Sequence, residues 1–126
     1  MRKAIAVAAA LLALAGSVRS AEDELDTDLM QSIEDSNKSL ASNIGIKDGK
    51  GATTDAKDLT EMFAKVEAFY VKKGDAADAV DLSKKSLDLS GQILKQIAAK
   101  DFDTATDTAT TLSRTCKTCH NFYKKS

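Results

Sequence analysis

From Phe102 to Tyr123, apolar and sulfur-bearing side chains recur at Phe102, Ala105, Ala109, Leu112, Cys116, Cys119 and Tyr123. The steps are 3, 4, 3, 4, 3 and 4, the spacing of residues that share one face of an α-helix. A helix with such a stripe must bury it against other elements, and the preceding sequence supplies three of the same kind. Leu25, Leu29, Ile33, Leu40 and Ile44 keep helical spacing over residues 22–44. Leu59, Met62, Phe63, Val66, Phe69 and Tyr70 do so after Thr54 or Asp55, either of which suits an N-cap. Ala79, Val80, Leu87, Ile93, Leu94, Ile97 and Ala98 form the apolar side of a third segment, from Asp75 to Lys100. No stretch alternates convincingly with period two, and proline is absent.

Local signals set the expected boundaries. Gly45 is placed to stop the first helix and Gly74 the second. Lys72 and Lys73 complement the dipole of the second helix's last turn. Asp75 is placed to cap the third helix, and Asp101 or Asp103 the fourth. The stretch from Gly45 to Thr54, with Gly45, Gly49 and Gly51 and little apolar content, reads as the one longer loop. The later connections are very short, which forces antiparallel neighbours. The expected fold is all-α, an antiparallel up-down-up-down four-helix bundle. Gly91 either weakens the third helix, by up to about 1 kcal/mol against alanine, or marks a close contact between helices. The threonines of residues 104–111 are weak helix formers, so the fourth helix rests there on its stripe.

The N-terminus reads as a targeting segment. Arg2 and Lys3 precede an apolar run from Ala4 to Ala15, too short to span a bilayer. Val18 and Ser20 then fit the two key positions before a cleavage at Ala21. The expectation is a signal peptide over 1–20 and one exported, periplasmic domain over 21–126. Three of the 18 basic residues and none of the 19 acidic ones fall in the leader, so the mature domain carries a formal charge near −4. That balance argues against nucleic-acid binding. No second long apolar run follows, so no membrane insertion is expected after cleavage.

Export matters for the two cysteines, because free thiols in an oxidising compartment tend to pair or react. A disulfide between Cys116 and Cys119 would close almost no loop and stabilise little. The string Cys116-Lys117-Thr118-Cys119-His120 is instead a C-x-x-C-H sequence, the spacing of covalent haem attachment. Two thiols at i and i+3 share a helix face and can bond both vinyl groups of one porphyrin. His120, the chain's single histidine, then points at the iron from the proximal side. A redox dithiol would be expected beside a βαβ pattern, which is missing. Structural zinc wants four protein ligands, and only three good ones are in view. A domain of roughly a hundred residues buries a modest core, so a covalently held haem would also staple it.

A bundle of this length ending in Cys116-Lys117-Thr118-Cys119-His120 resembles the class II c-type cytochromes, the cytochrome c-prime family. The specific part of the resemblance runs from Asp101-Phe102 to Tyr123-Lys124; elsewhere it rests on layout. It implies one haem c between the helices near one end. Cys116 and Cys119 would form the thioethers, and His120 would be the proximal iron ligand. Members of the family differ on the distal side. Some leave it open and bind small gases; others place a methionine there and look like electron carriers.

Two methionines follow the leader, Met30 and Met62. In an up-down-up-down bundle the start of the first helix and the end of the fourth lie together. Met30 then stands about 12 Å from that end and His120 about 7 Å, at ~1.5 Å per residue. Met62 stands roughly 17 Å away. The family's methionine also comes from the first part of the first helix. Against this, Met30 falls off the centre of its helix's stripe. Three arrangements stay open: ligation by Met30, which the levels favour, ligation by Met62, and an open site faced by Leu29. Bis-His ligation is excluded by the single histidine.

The leading expectation is a periplasmic, mono-haem, one-electron carrier with His/Met ligation and no catalytic turnover. The rival is a five-coordinate gas-binding protein for NO or CO. No distal His or Arg constellation suggests a haem enzyme. The partner of a carrier is a redox protein, and Lys117, Lys124 and Lys125 form either a docking patch for it or a solvated helix end. Phe122 and Tyr123 are expected near the haem or over the core. Whether the bundle forms a homodimer stays open.

Overall fold

The computed structural model describes Leu25 and residues 27–123. The expected signal peptide over 1–20, the expected helix start at Glu22, and Lys124 and Lys125 lie outside the described residues. So do the side chains of Phe122 and Tyr123. Four helices follow one another: α1 (Thr27–Gly45), α2 (Gly49–Lys73), α3 (Ala77–Ala98) and α4 (Phe102–Tyr123). The described residues contain no strand and no helix long and apolar enough to cross a membrane.

Each helix packs on the next, and α4 returns to pack on α1. The α2–α3 seam is the most extensive and the α1–α4 seam the least. At the centre lie Leu40, Leu59, Ile93 and Leu112, one from each helix and all fully buried. The expected stripes on α1, α2 and α4 face this core. Ile33, Leu40 and Ile44 are buried, as are Leu59, Phe63, Val66, Tyr70, Ala105, Ala109 and Leu112. Leu25, Leu29, Met62, Phe69 and Phe102 pack half-buried against them.

The stripe of α3 differs from the expected one. Its buried positions are Ala79, Ser83, Ser86, Ser90, Ile93 and Ile97, with Leu89 beside them. Three serines thus occupy the inward face where the sequence suggested Val80, Leu87 and Leu94, which pack half-buried at its flank. Ala98 is exposed. A serine can sit inward because its hydroxyl bonds the carbonyl one turn back. Ser83 donates to Ala79 O at 2.6 Å, Ser86 to Leu82 O at 2.8 Å and Ser90 to Ser86 O at 2.8 Å.

The boundaries need three corrections. First, α1 ends at Gly45 as expected, but the left-handed residue that closes it is not that glycine. Lys47 takes that conformation at φ 59° and donates to Ile44 O, while Asp48 N–H reaches back to Asn43 O. These two bonds make a Schellman closure with lysine where glycine is usual. Lys100, at φ 56°, closes α3 in the same way, with bonds to Ile97 O from Lys100 and to Gln96 O from Asp101.

Second, the long loop to Thr54 is absent: α2 begins at Gly49, capped by Asp48, whose carboxylate accepts from Gly51 N–H at 3.1 Å. Gly51 answers a close approach, since a Cβ there would lie 2.7 Å from Asp48 Oδ2 and 2.8 Å from Asn43 Nδ2. Asp55 is a tie rather than a cap, accepting from Ser39 Oγ and Asn43 Nδ2, each at 2.7 Å. That joins α1 to α2.

Third, Asp75 does not cap α3; Ala76 holds that position with no side-chain bond. Asp101 caps α4 as expected, accepting from Thr104 N–H at 3.2 Å. Gly74 ends α2 in the left-handed region at φ 81°.

Gly91 marks no close contact, because a Cβ there would meet nothing within 4 Å. Gly91→Ala therefore stabilises the fold, by about 0.5–1 kcal/mol from backbone entropy. Gly74→Ala destabilises it by about 1–2 kcal/mol, the cost of a left-handed alanine. Urea melts of the two variants read both effects, and shifts of equal sign would contradict this account.

Candidate functional site

α4 holds together despite seven threonines because the hydroxyls of six of them do not compete with the helix. Thr106, Thr108, Thr110, Thr111, Thr115 and Thr118 each donate to the carbonyl four residues back, at 2.8–3.1 Å. Thr108 and Thr115 are buried and satisfied in this way. The continuous helix carries Cys116 and Cys119 one turn apart, both half-buried, with His120 beside them and exposed.

These residues open into a small cleft, a cavity of about 30 Å³, well below the size of a preformed small-molecule site. All four helices wall it. α1 contributes Met30 and Ile33, and α2 contributes Phe63 and Val66. α3 contributes Leu82, Ser83 and Ser86, and α4 contributes Cys116, Cys119 and His120. On α1 and α3 these residues precede the central Leu40 and Ile93; on α2 and α4 they follow Leu59 and Leu112. The cleft therefore lies to one side of the central core layer. A second, shallower hollow between Lys47, Gly49, Lys100 and Phe102 holds none of the residues singled out from the sequence.

Of those residues, Met30, Cys116, Cys119 and His120 all line the one cleft. Met62 and Leu29 are half-buried against the core and do not line it. Lys117 is exposed beside the cysteines. Ser83, Ser86 and Leu82 were not expected there. The signal for the serines was the 4-3-4-3-4 spacing of positions 79, 83, 86, 90, 93 and 97, hidden because half the residues carrying it are hydroxylated.

The apolar walls govern the thiols. Burial, and to a smaller extent the charge of Cys119, pushes the Cys116 thiol up to about 11. Burial also raises Cys119. Both thus stay protonated near neutral pH, the opposite of the lowered values that activate redox dithiols. Among the described residues no group of three or more His, Cys, Asp or Glu is placed to hold a metal ion. The donors fit a covalently held tetrapyrrole better. Two thiols lie on one helix face, an imidazole and a thioether border the same space, and the walls between them are apolar save for two serines. No protein-family model, no curated protein and no solved structure matches the chain.

The sulfur environments predict an order of reactivity in the reduced protein with both thiols free. Thiolate is the reacting form, so alkylation by iodoacetamide is slow near pH 7 and speeds up as pH rises, with Cys119 reacting before the more buried Cys116. Peptide mass spectrometry of samples quenched over time reads the order. Rapid, equal labelling of both residues at neutral pH would contradict it.

Proposed function

We propose that this chain is a mono-haem c-type cytochrome that carries single electrons in the periplasm, with His120 and Met30 as axial ligands. The observation that carries the proposal is the convergence of Met30, from the start of α1, on the cleft that Cys116, Cys119 and His120 line at the end of α4. Sequence distance gives no reason for Met30 to meet the other three. An up-down-up-down bundle does, and the alternation of cleft residues before and after the central core layer supports that topology. The group itself supplies a metal centre that gains and loses one electron.

The remaining roles belong to the side chains. Cys116 and Cys119 anchor the macrocycle through thioethers, so a small bundle cannot lose it by dissociation. His120 stands beside Cys119 and offers a nitrogen ligand at the solvent edge. Met30 offers a thioether, which favours the reduced iron and raises the potential relative to a second imidazole. Ile33, Phe63, Val66 and Leu82 exclude water, and Ser83 and Ser86 keep the α3 wall low. The docking partner is a second redox protein, held weakly as electron-transfer encounters are.

Far-red absorption of the ferric protein tests the axial assignment. The wild type is expected to show a methionine–iron charge-transfer band and to bind little CO when reduced. Met30→Ala is expected to lose the band and bind CO readily. A low-spin spectrum unchanged by Met30→Ala would remove Met30 from the iron. Rapid CO binding by the wild type would favour the five-coordinate gas binder.

A further inference from the structure

α1 and α4 meet along the least extensive seam of the bundle, yet Met30 and His120 come from these two helices. A hydrogen bond crosses that seam, from Asn37 Nδ2 to Ser113 Oγ at 3.0 Å. Asn37 lies seven residues after Met30, and Ser113 lies seven residues before His120. Seven residues are close to two turns, about 10 Å of helix at ~1.5 Å per residue, and bring side chains back to nearly the same face. Equal paths along α1 and α4 therefore lead from the bond to Met30 and to His120, and both paths end at one cleft.

From this symmetry we propose that Asn37 and Ser113 form a positioning pair, which fixes the register of α1 against α4 and so brings the Met30 sulfur level with the His120 imidazole. The proposal rests on the His/Met reading above. A slip of α1 by one residue would carry Met30 about 1.5 Å along the axis and ~100° around it, away from the cleft. The tie between Ser39, Asn43 and Asp55 holds α1 to α2 instead, so it does not set the register against α4. Neither Asn37 nor Ser113 lines the cleft; they act through Met30.

The test uses the haem-loaded full chain with Ser113→Ala, Asn37→Ala and Ser113→Thr. The readouts are the far-red methionine–iron band and the rate of CO binding to the reduced protein, with thermal melts run alongside. Ser113→Ala and Asn37→Ala are expected to weaken the band and to raise the CO rate by about two- to threefold, the lower end of the scale for one lost hydrogen bond, since this one is exposed. Ser113→Thr keeps a hydroxyl at the position and is expected to behave as wild type. An unchanged band and CO rate in both alanine variants would overturn the pair's role, as would Ser113→Thr matching Ser113→Ala. A wild type without the band would overturn the His/Met reading and this proposal with it, a result visible before any variant is made.

Discussion

The arrangement at this end of the bundle depends on one helix face. α4 presents two thiols and an imidazole within five residues, Cys116 to His120, and the stripe that carries them is the one that buries Ala105, Ala109 and Leu112. Packing that stripe into the core and aiming the sulfurs into the bundle are a single event. The helix can therefore be ordered by ordinary apolar contact, of order 25 cal/mol per Å² buried, while its last turns leave both sulfurs and the imidazole at the cleft, available to a ligand. The small size of the domain makes such a ligand energetically useful, because a core of this extent leaves little surplus stability.

A cleft beside a close-packed core needs a wall that gives up volume without giving up hydrogen bonds. α3 provides it with serine. Ser83 and Ser86 line the cleft and turn their hydroxyls onto the Ala79 and Leu82 carbonyls, so each presents little more than an alanine's bulk and leaves no unpaired donor. At Ile93 and Ile97 the same stripe returns to large residues. The change from small to large along one face separates the hollow part of the bundle from its solid part.

The fold class was legible in the sequence because four amphipathic periods leave few alternatives. The helix ends were less so. Gly49 and Gly51 signal a loop by composition, whereas both lie in the first turn of α2, where a Cβ at Gly51 would push aside the ends of the Asp48 and Asn43 side chains. The left-handed closures fell on Lys47 and Lys100, and no local rule singles out a lysine for that conformation. On α3 the polar identity of the serines concealed the inward face and moved attention to Val80, Leu87 and Leu94. At the site, the C-x-x-C-H string was plain from spacing alone. In space Met30 borders the cleft and Met62 does not, and the off-centre place of Met30 on α1's stripe suits a residue that lines a cleft between helices rather than the core.

Covalent attachment of a tetrapyrrole through Cys116 and Cys119 is the central claim. The most direct measurement is the intact mass of the purified protein after acid–organic extraction, which strips non-covalent haem, read together with its visible absorption. The account predicts a chain heavier by one haem that keeps its colour, with both cysteines resistant to alkylation. A colourless chain of unmodified mass, with both thiols free or joined to each other, would contradict it.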